Sequence, residues 1–138
     1  MRRALALAAL IAVAAAAGNA SAETWKKYID NANGTAWSYD ADYSYKDRAT
    51  GRVVVMQAIS KPAANLGPSG PGKPDGVGSV VALDCSAKNL ITLGGYTPSK
   101  PLAIAGDWRG QTPKKATGPG NEALLAAVCP SASQLAVK

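Results

Sequence analysis

The sequence predicts an α+β fold: an antiparallel β-meander of about five or six strands, with one C-terminal helix pinned across a face. Three observations lead there. Short β-prone runs separated by turn residues recur from Trp25 to Ala105. Helical apolar spacing is convincing in one place after the first 22 residues, over 121–129. Two cysteines, Cys85 and Cys129, fall on one of the strands and on that helix.

The elements follow in order. Trp25–Asp30 and Thr35–Tyr39 flank Asn33-Gly34, which predicts a hairpin with a type I′ turn, since that turn needs positive φ at both central residues. On the first strand Trp25, Lys27 and Ile29 are expected to share one face. Asn33-Gly34-Thr35 also fits a glycosylation acceptor, but Asn33 reads chiefly as a turn residue. A second hairpin runs from Tyr43–Lys46 through Asp47–Gly51 into Arg52–Ser60, a long β-branched run that suits a central strand. Residues 61–78 hold four prolines and five glycines and read as a loop. Ser79–Cys85 is the next strand, with Val81, Leu83 and Cys85 on one face. Lys88–Leu93 follows, ending at Gly94-Gly95-Tyr96, and Leu102–Ala105 is expected as the last strand. Trp108 is expected to pack back on the sheet. Asn121–Cys129 is the helix: Asn121 can cap it, Glu122 suits its first turn, and Pro130 is expected to stop it. Leu124/Val128 and Leu125/Cys129, each four apart, form its apolar stripe.

Residues 1–22 read as a cleavable signal peptide. Arg2-Arg3 precede an uncharged apolar run, Ala4–Ala17, and Ala20-Ser21-Ala22 supplies small residues before Glu23. The run is shorter than the ~20 residues that span a bilayer, so no membrane anchor is expected in the mature form. Residues 23–138 are then one domain. Its formal charge is +4, from 13 Lys/Arg and 9 Asp/Glu, too sparse for a nucleic-acid binder. The expected location is outside the cytosol: periplasm, cell surface or medium. There an even cysteine count favours a disulfide between Cys85 and Cys129. A reactive thiol pair would more often show Cys-x-x-Cys spacing.

The chain has no histidine, which removes histidine triads, histidine general bases and the commonest zinc ligand. Gly67–Lys73 imitates a phosphate-binding loop, but Pro74 stands where Ser or Thr would hold magnesium. Asp40 and Asp42 read as turn and edge charges rather than calcium ligands. We expect no catalytic set, no cofactor and no metal. The candidate binding surface is aromatic and basic: Trp37, Tyr39, Tyr43 and Tyr45, flanked by Lys46 and Arg48.

These anchors form a recognisable series: Trp25-x-x-Tyr28, Tyr39-Asp40, a basic hairpin into a hydrophobic strand, Leu83-Asp84-Cys85, Tyr96 after a glycine pair, Trp108, and Val128-Cys129. The series resembles the surface-adhesin protein E family over nearly all of the mature chain, from Trp25 to Cys129. The resemblance implies a strongly bent antiparallel sheet with the terminal helix disulfide-tethered to it. It implies a protein partner, because the founding adhesins bind host matrix and plasma proteins, and it leaves a homodimer open. Two departures are evident: no lipid-attachment cysteine follows the leader, and the 61–78 loop is unusually rich in Pro and Gly. Of the site residues, only the cysteine pair carries over.

The leading functional expectation is therefore an exported, non-enzymatic binding domain of the adhesin E type. The alternative is a structural, assembly or inhibitory protein of the periplasm. A histidine-free hydrolase is a third class, favoured only by a deep pocket with converging polar groups.

Overall fold

Strands of alternating sequence bury one face, whereas Val53-Val-Val-Met56 and Val80-Val-Ala-Leu83 are apolar at every position, so these segments need cover on both sides. The computed structural model describes residues 24–60 and 76–138. The predicted signal peptide and residues 61–75, with the phosphate-loop imitation, lie outside the described residues.

The sheet is antiparallel. Its strands are β1 (Trp25–Asp30), β2 (Ala36–Asp40), β3 (Tyr45–Lys46), β4 (Val53–Ser60), β5 (Gly78–Asp84), β6 (Asn89–Tyr96) and β7 (Lys114–Lys115). The order is β1-β2-β4-β5-β6-β7, and β3 also pairs with β4. β2 aligns with Gln57–Ser60 and β3 with Val53-Val54, so the two act as one strand broken at residues 41–44. The break is organised by buried Asp40. Its Oδ1 accepts the amides of Asp42 (3.0 Å) and Tyr43 (3.3 Å), and Ser44 Oγ donates to its carbonyl (2.8 Å). The meander is thus as expected, the second hairpin forming between β3 and β4, with one added two-residue strand, β7.

β4 and β5 separate two apolar cores. Val53, Val55, Val81 and Leu83 face the helix α1 (Pro119–Val128), which contributes Leu124, Leu125 and Val128. Val54, Met56, Ala58, Val80 and Ala82 face the other way, with Ile91, Leu93, Tyr96 and Trp108. Among the described residues no α-helix covers this second face. The sheet curls over it: Trp25 on β1 meets Tyr96 on β6 with ring centroids 5.7 Å apart, although β2, β4 and β5 lie between them. A flat sheet would hold these strands about 19 Å apart at ~4.8 Å per step. The sheet is therefore strongly bent. Trp108, only 3% exposed on a short 3₁₀ turn, plugs the concavity as expected.

The disulfide joins Cys85, just past β5, to Cys129 at the helix end, with Cα atoms 5.8 Å apart. It holds α1 against the strand whose apolar face it covers. The chain then continues as a 3₁₀ turn, Cys129–Gln134, so Pro130 ends the α-helix without ending helical winding. Residues 136–138 lie along the outer edge of β3: Lys46 N donates to Ala136 O (2.8 Å) and Lys138 N to Lys46 O (2.9 Å).

Four expectations are corrected. The first turn is not type I′: Gly34 alone has positive φ (+80°), and the amide of Gly34 donates to Asn31 O (3.1 Å). That is a three-residue loop ending in a left-handed glycine, with Asn33 Oδ1 accepting from Thr35 instead of adopting positive φ. A bulge between Lys27 and Ile29 moves Ile29 opposite Trp37, away from the face of Trp25 and Lys27. Leu102–Ala105 forms no strand, and Leu102–Ile104 is exposed; one bond, Ala105 N to Leu93 O (2.9 Å), ties it to β6. It passes so close to β6 that a Cβ at Gly94 would collide with the Ala103 carbonyl. The helix starts at Pro119 with Gly118 as the capping residue, because Asn121 donates its side chain backward to Thr117 O (3.1 Å).

Replacing both cysteines with alanine is expected to lower the unfolding free energy by about 4 kcal/mol, from the 44-residue separation that the bond closes. Urea denaturation compared with the oxidised parent measures it. Leu124→Ala, which empties a fully buried site, is expected to cost about 2–5 kcal/mol by the same assay.

Candidate functional site

The six surface residues expected from the sequence do not form one patch. Trp37 and Tyr39 alternate with Ser38 on β2, pair with Ile59 and Gln57, and lie on the helix-covered face. Tyr39 packs near Tyr28, with ring centroids 6.3 Å apart. Tyr28 Oη donates to Gln57 Oε1 (2.6 Å), and burial pushes the phenol pKa up. Trp37, Tyr28 and Gln57 line a groove of about 230 Å³ whose other wall is the start of α1.

Tyr43 and Tyr45 lie on the opposite, concave face, half-buried against the core of Trp108 and Tyr96. Their ring centroids are 6.1 Å apart. Burial, and then the neighbouring Tyr45, push Tyr43 up to about 12. The Lys138 ammonium stands 5.3 Å from the Tyr45 ring centre. Arg48 is exposed beside it, its amide donating to Lys138 O (2.8 Å). Lys46 follows Tyr45 and alternates toward the helix side of β3. Tyr43, Tyr45 and Arg48 are therefore brought together, while Trp37, Tyr39 and Lys46 belong to the other side.

Beneath this patch sits a group that sequence reasoning missed. Asp47 is 1% exposed yet ionised. Arg109 grips it with both arms of its guanidinium, Nη2 to Oδ1 at 2.6 Å and Nε to Oδ2 at 3.1 Å. Thr50 adds its hydroxyl (2.6 Å) and amide (3.1 Å) to Oδ2. The Arg109 bond first, then Thr50, hold the carboxyl down at about pKa 2 against the opposing effect of burial. Arg109 also stacks on Trp108, 4.6 Å from the ring centre. One interaction thus locks the β3–β4 turn to the loop that carries Trp108. Asp47-x-x-Thr50-Gly51 is a legible turn signal, but no local pattern points to Arg109, 62 residues away.

A further groove, about 570 Å³ and open to solvent, runs beside the disulfide. Cys85, Cys129, Ala116 and Leu125 line it, with Lys88 and Lys115 at its margin. Lys88 closes the Cys85–Lys88 turn at φ +53°, a left-handed conformation, and accepts the Ala116 amide (2.9 Å). Among the described residues no group of three His, Cys, Asp or Glu could hold a metal ion, and no helix is long and apolar enough to cross a membrane.

A scan against protein-family models, a search of curated proteins and a search of solved structures each return no match.

Because the folded pKa of Asp47 is depressed, its stabilisation is full above the unfolded value of 3.8 and is lost as pH falls through about 2. It amounts to at most about 2 kcal/mol, reduced by solvent at the half-exposed Arg109. Asp47→Asn is expected to destabilise the protein at pH 7 and to flatten the fall in stability between pH 4 and 2. Urea midpoints across that range test it.

Proposed function

We propose that the chain is an exported binding domain of the adhesin E type, taking a protein partner on its concave-side patch. The supporting observation is the aromatic pair Tyr43–Tyr45, half-buried and ringed by Arg48, Lys138 and Arg109. Amphipathic rings over a fixed base, with cations at the rim, are the composition that protein interfaces favour. Asp47 and Trp108 hold the patch rigid from below, so little ordering entropy is lost on contact. The chain's disulfide, together with its leader-like first 22 residues, supports export. The rim charge fits a partner of acidic surface. Catalysis finds less support: the described grooves lie on the helix side, away from the patch, they are open, and no nucleophile and base converge in them.

The purified domain is expected to bind immobilised extracellular-matrix proteins saturably at micromolar concentration. Arg48→Glu with Lys138→Glu, both exposed, should weaken binding about tenfold, with smaller salt dependence. No saturable binding by surface plasmon resonance would remove the adhesin reading. A defined endogenous partner in an envelope pull-down would instead favour the assembly or inhibitor role.

A further inference from the structure

We propose that the Cys85–Cys129 disulfide exchanges with thiols while the protein stays folded, and that the groove beside it docks a dithiol oxidoreductase. This stands independently of the ligand patch, which lies on the other side of the sheet. A bond serving only to staple a core is commonly sealed from reagents. Here neither cysteine is fully buried, and both line the open groove of about 570 Å³. Neither belongs to a strand: Cys85 opens the turn after β5, and Cys129 follows the last α-helical residue. A reagent can therefore reach sulfur without opening the β-ladder.

The surroundings suit a thiolate partner. Ala87, Ala116, Leu125 and Ala126 give the groove an apolar lining, the kind of surface on which the segment flanking an oxidoreductase thiol can lie. Lys88 and Lys115 line it against one acid, Glu122, and among the described residues neither lysine has an ion-pair partner, so the groove keeps a net positive charge. Nearby ammonium groups favour both the incoming thiolate and the thiolate that leaves. The Asp84 carboxylate, the nearest acid in sequence to Cys85, is occupied in its own turn, accepting the amides of Ser86 (3.0 Å) and Ala87 (2.9 Å).

In the step, one thiolate of the dithiol attacks a sulfur of the pair. The S–S bond breaks, a mixed disulfide forms, and the other cysteine leaves as thiolate and takes a proton. The second thiol of the reagent then displaces the remaining cysteine. Two electrons pass from dithiol to protein, giving two cysteine thiols and an oxidised partner. The reverse sequence forms the bond.

Thiol release from the oxidised protein is followed in dithiothreitol at several urea concentrations below the unfolding transition. Exchange in the folded state gives a rate that changes less than about twofold up to ~2 M urea, whereas exchange through global unfolding rises with the full equilibrium slope. The latter result overturns the proposal. Ala126→Trp places bulk on an exposed helix position at the groove and is expected to slow reduction about tenfold with an unchanged urea midpoint. Lys88→Ala should slow the anionic 2-mercaptoethanesulfonate more than the cationic cysteamine. Docking is read separately with a Cys-x-x-Cys oxidoreductase whose resolving cysteine is serine: a trapped mixed disulfide, lost in Ala126→Trp, is expected. An unaffected rate in Ala126→Trp, or no trapped species, excludes the groove as the docking site.

Discussion

Two adjacent strands that are apolar on both sides set the problem that the remainder of the molecule solves. Val53–Met56 and Val80–Leu83 present side chains to both faces of the sheet. One helix can cover only one of them. The other is covered by the sheet itself, which bends until Trp25 reaches Tyr96, and by Trp108 brought in from a loop. Each cover is then fastened by a specific bond as well as by packing. The disulfide holds the helix, and the Arg109–Asp47 pair holds the Trp108 loop. The two fasteners sit on opposite faces of the same pair of strands.

The fasteners differ in how they act. The disulfide works chiefly on the unfolded chain, by limiting its freedom. The ion pair acts in the native state and places a charge where water is nearly excluded. Such a pair is stabilising only when the carboxylate is well supplied with donors, and Asp47 has two from Arg109 and two from Thr50. Arg109 keeps its outer side in solvent, which limits the desolvation of the cation. It therefore adds positive charge to the rim around Tyr45 while holding Trp108 from above.

The central strands, the terminal helix and the disulfide were legible in the sequence because each is signalled locally. Unbroken β-branched runs, i/i+4 leucines and an even cysteine count need no tertiary knowledge. The misses share a different cause. Leu102–Ala105 has strand-like residues but meets β6 where Gly94 lets its backbone approach too closely for a ladder. Lys114-Lys115 has no strand propensity and pairs only because the end of β6 is free there. The bulge in β1 shifts Ile29 across the sheet, which strict alternation cannot foresee. The candidate surface divided for a related reason. Period-two alternation sorts residues within a strand, but the break at 41–44 sits between Tyr39 and Tyr43, so their faces were never linked by counting. Arg109 as the partner of Asp47 lay beyond any local rule.

The curl that brings Trp25 against Tyr96 also sets which contacts are local and which are distant in the chain. Neighbouring strands of the meander pair across short connections, such as the tight turns after β1, β3 and β5, and these hairpins form on a microsecond scale. Bringing β1 to β6, Arg109 to Asp47 and Cys129 to Cys85 each closes a long stretch of chain, with an entropy that falls due before the contact is made. Closing the ribbon therefore carries a larger entropic cost than forming its individual hairpins. Any opening of that curl would bare the aromatic inner surface of Trp25, Tyr96 and Trp108, the kind of surface through which partly folded chains associate.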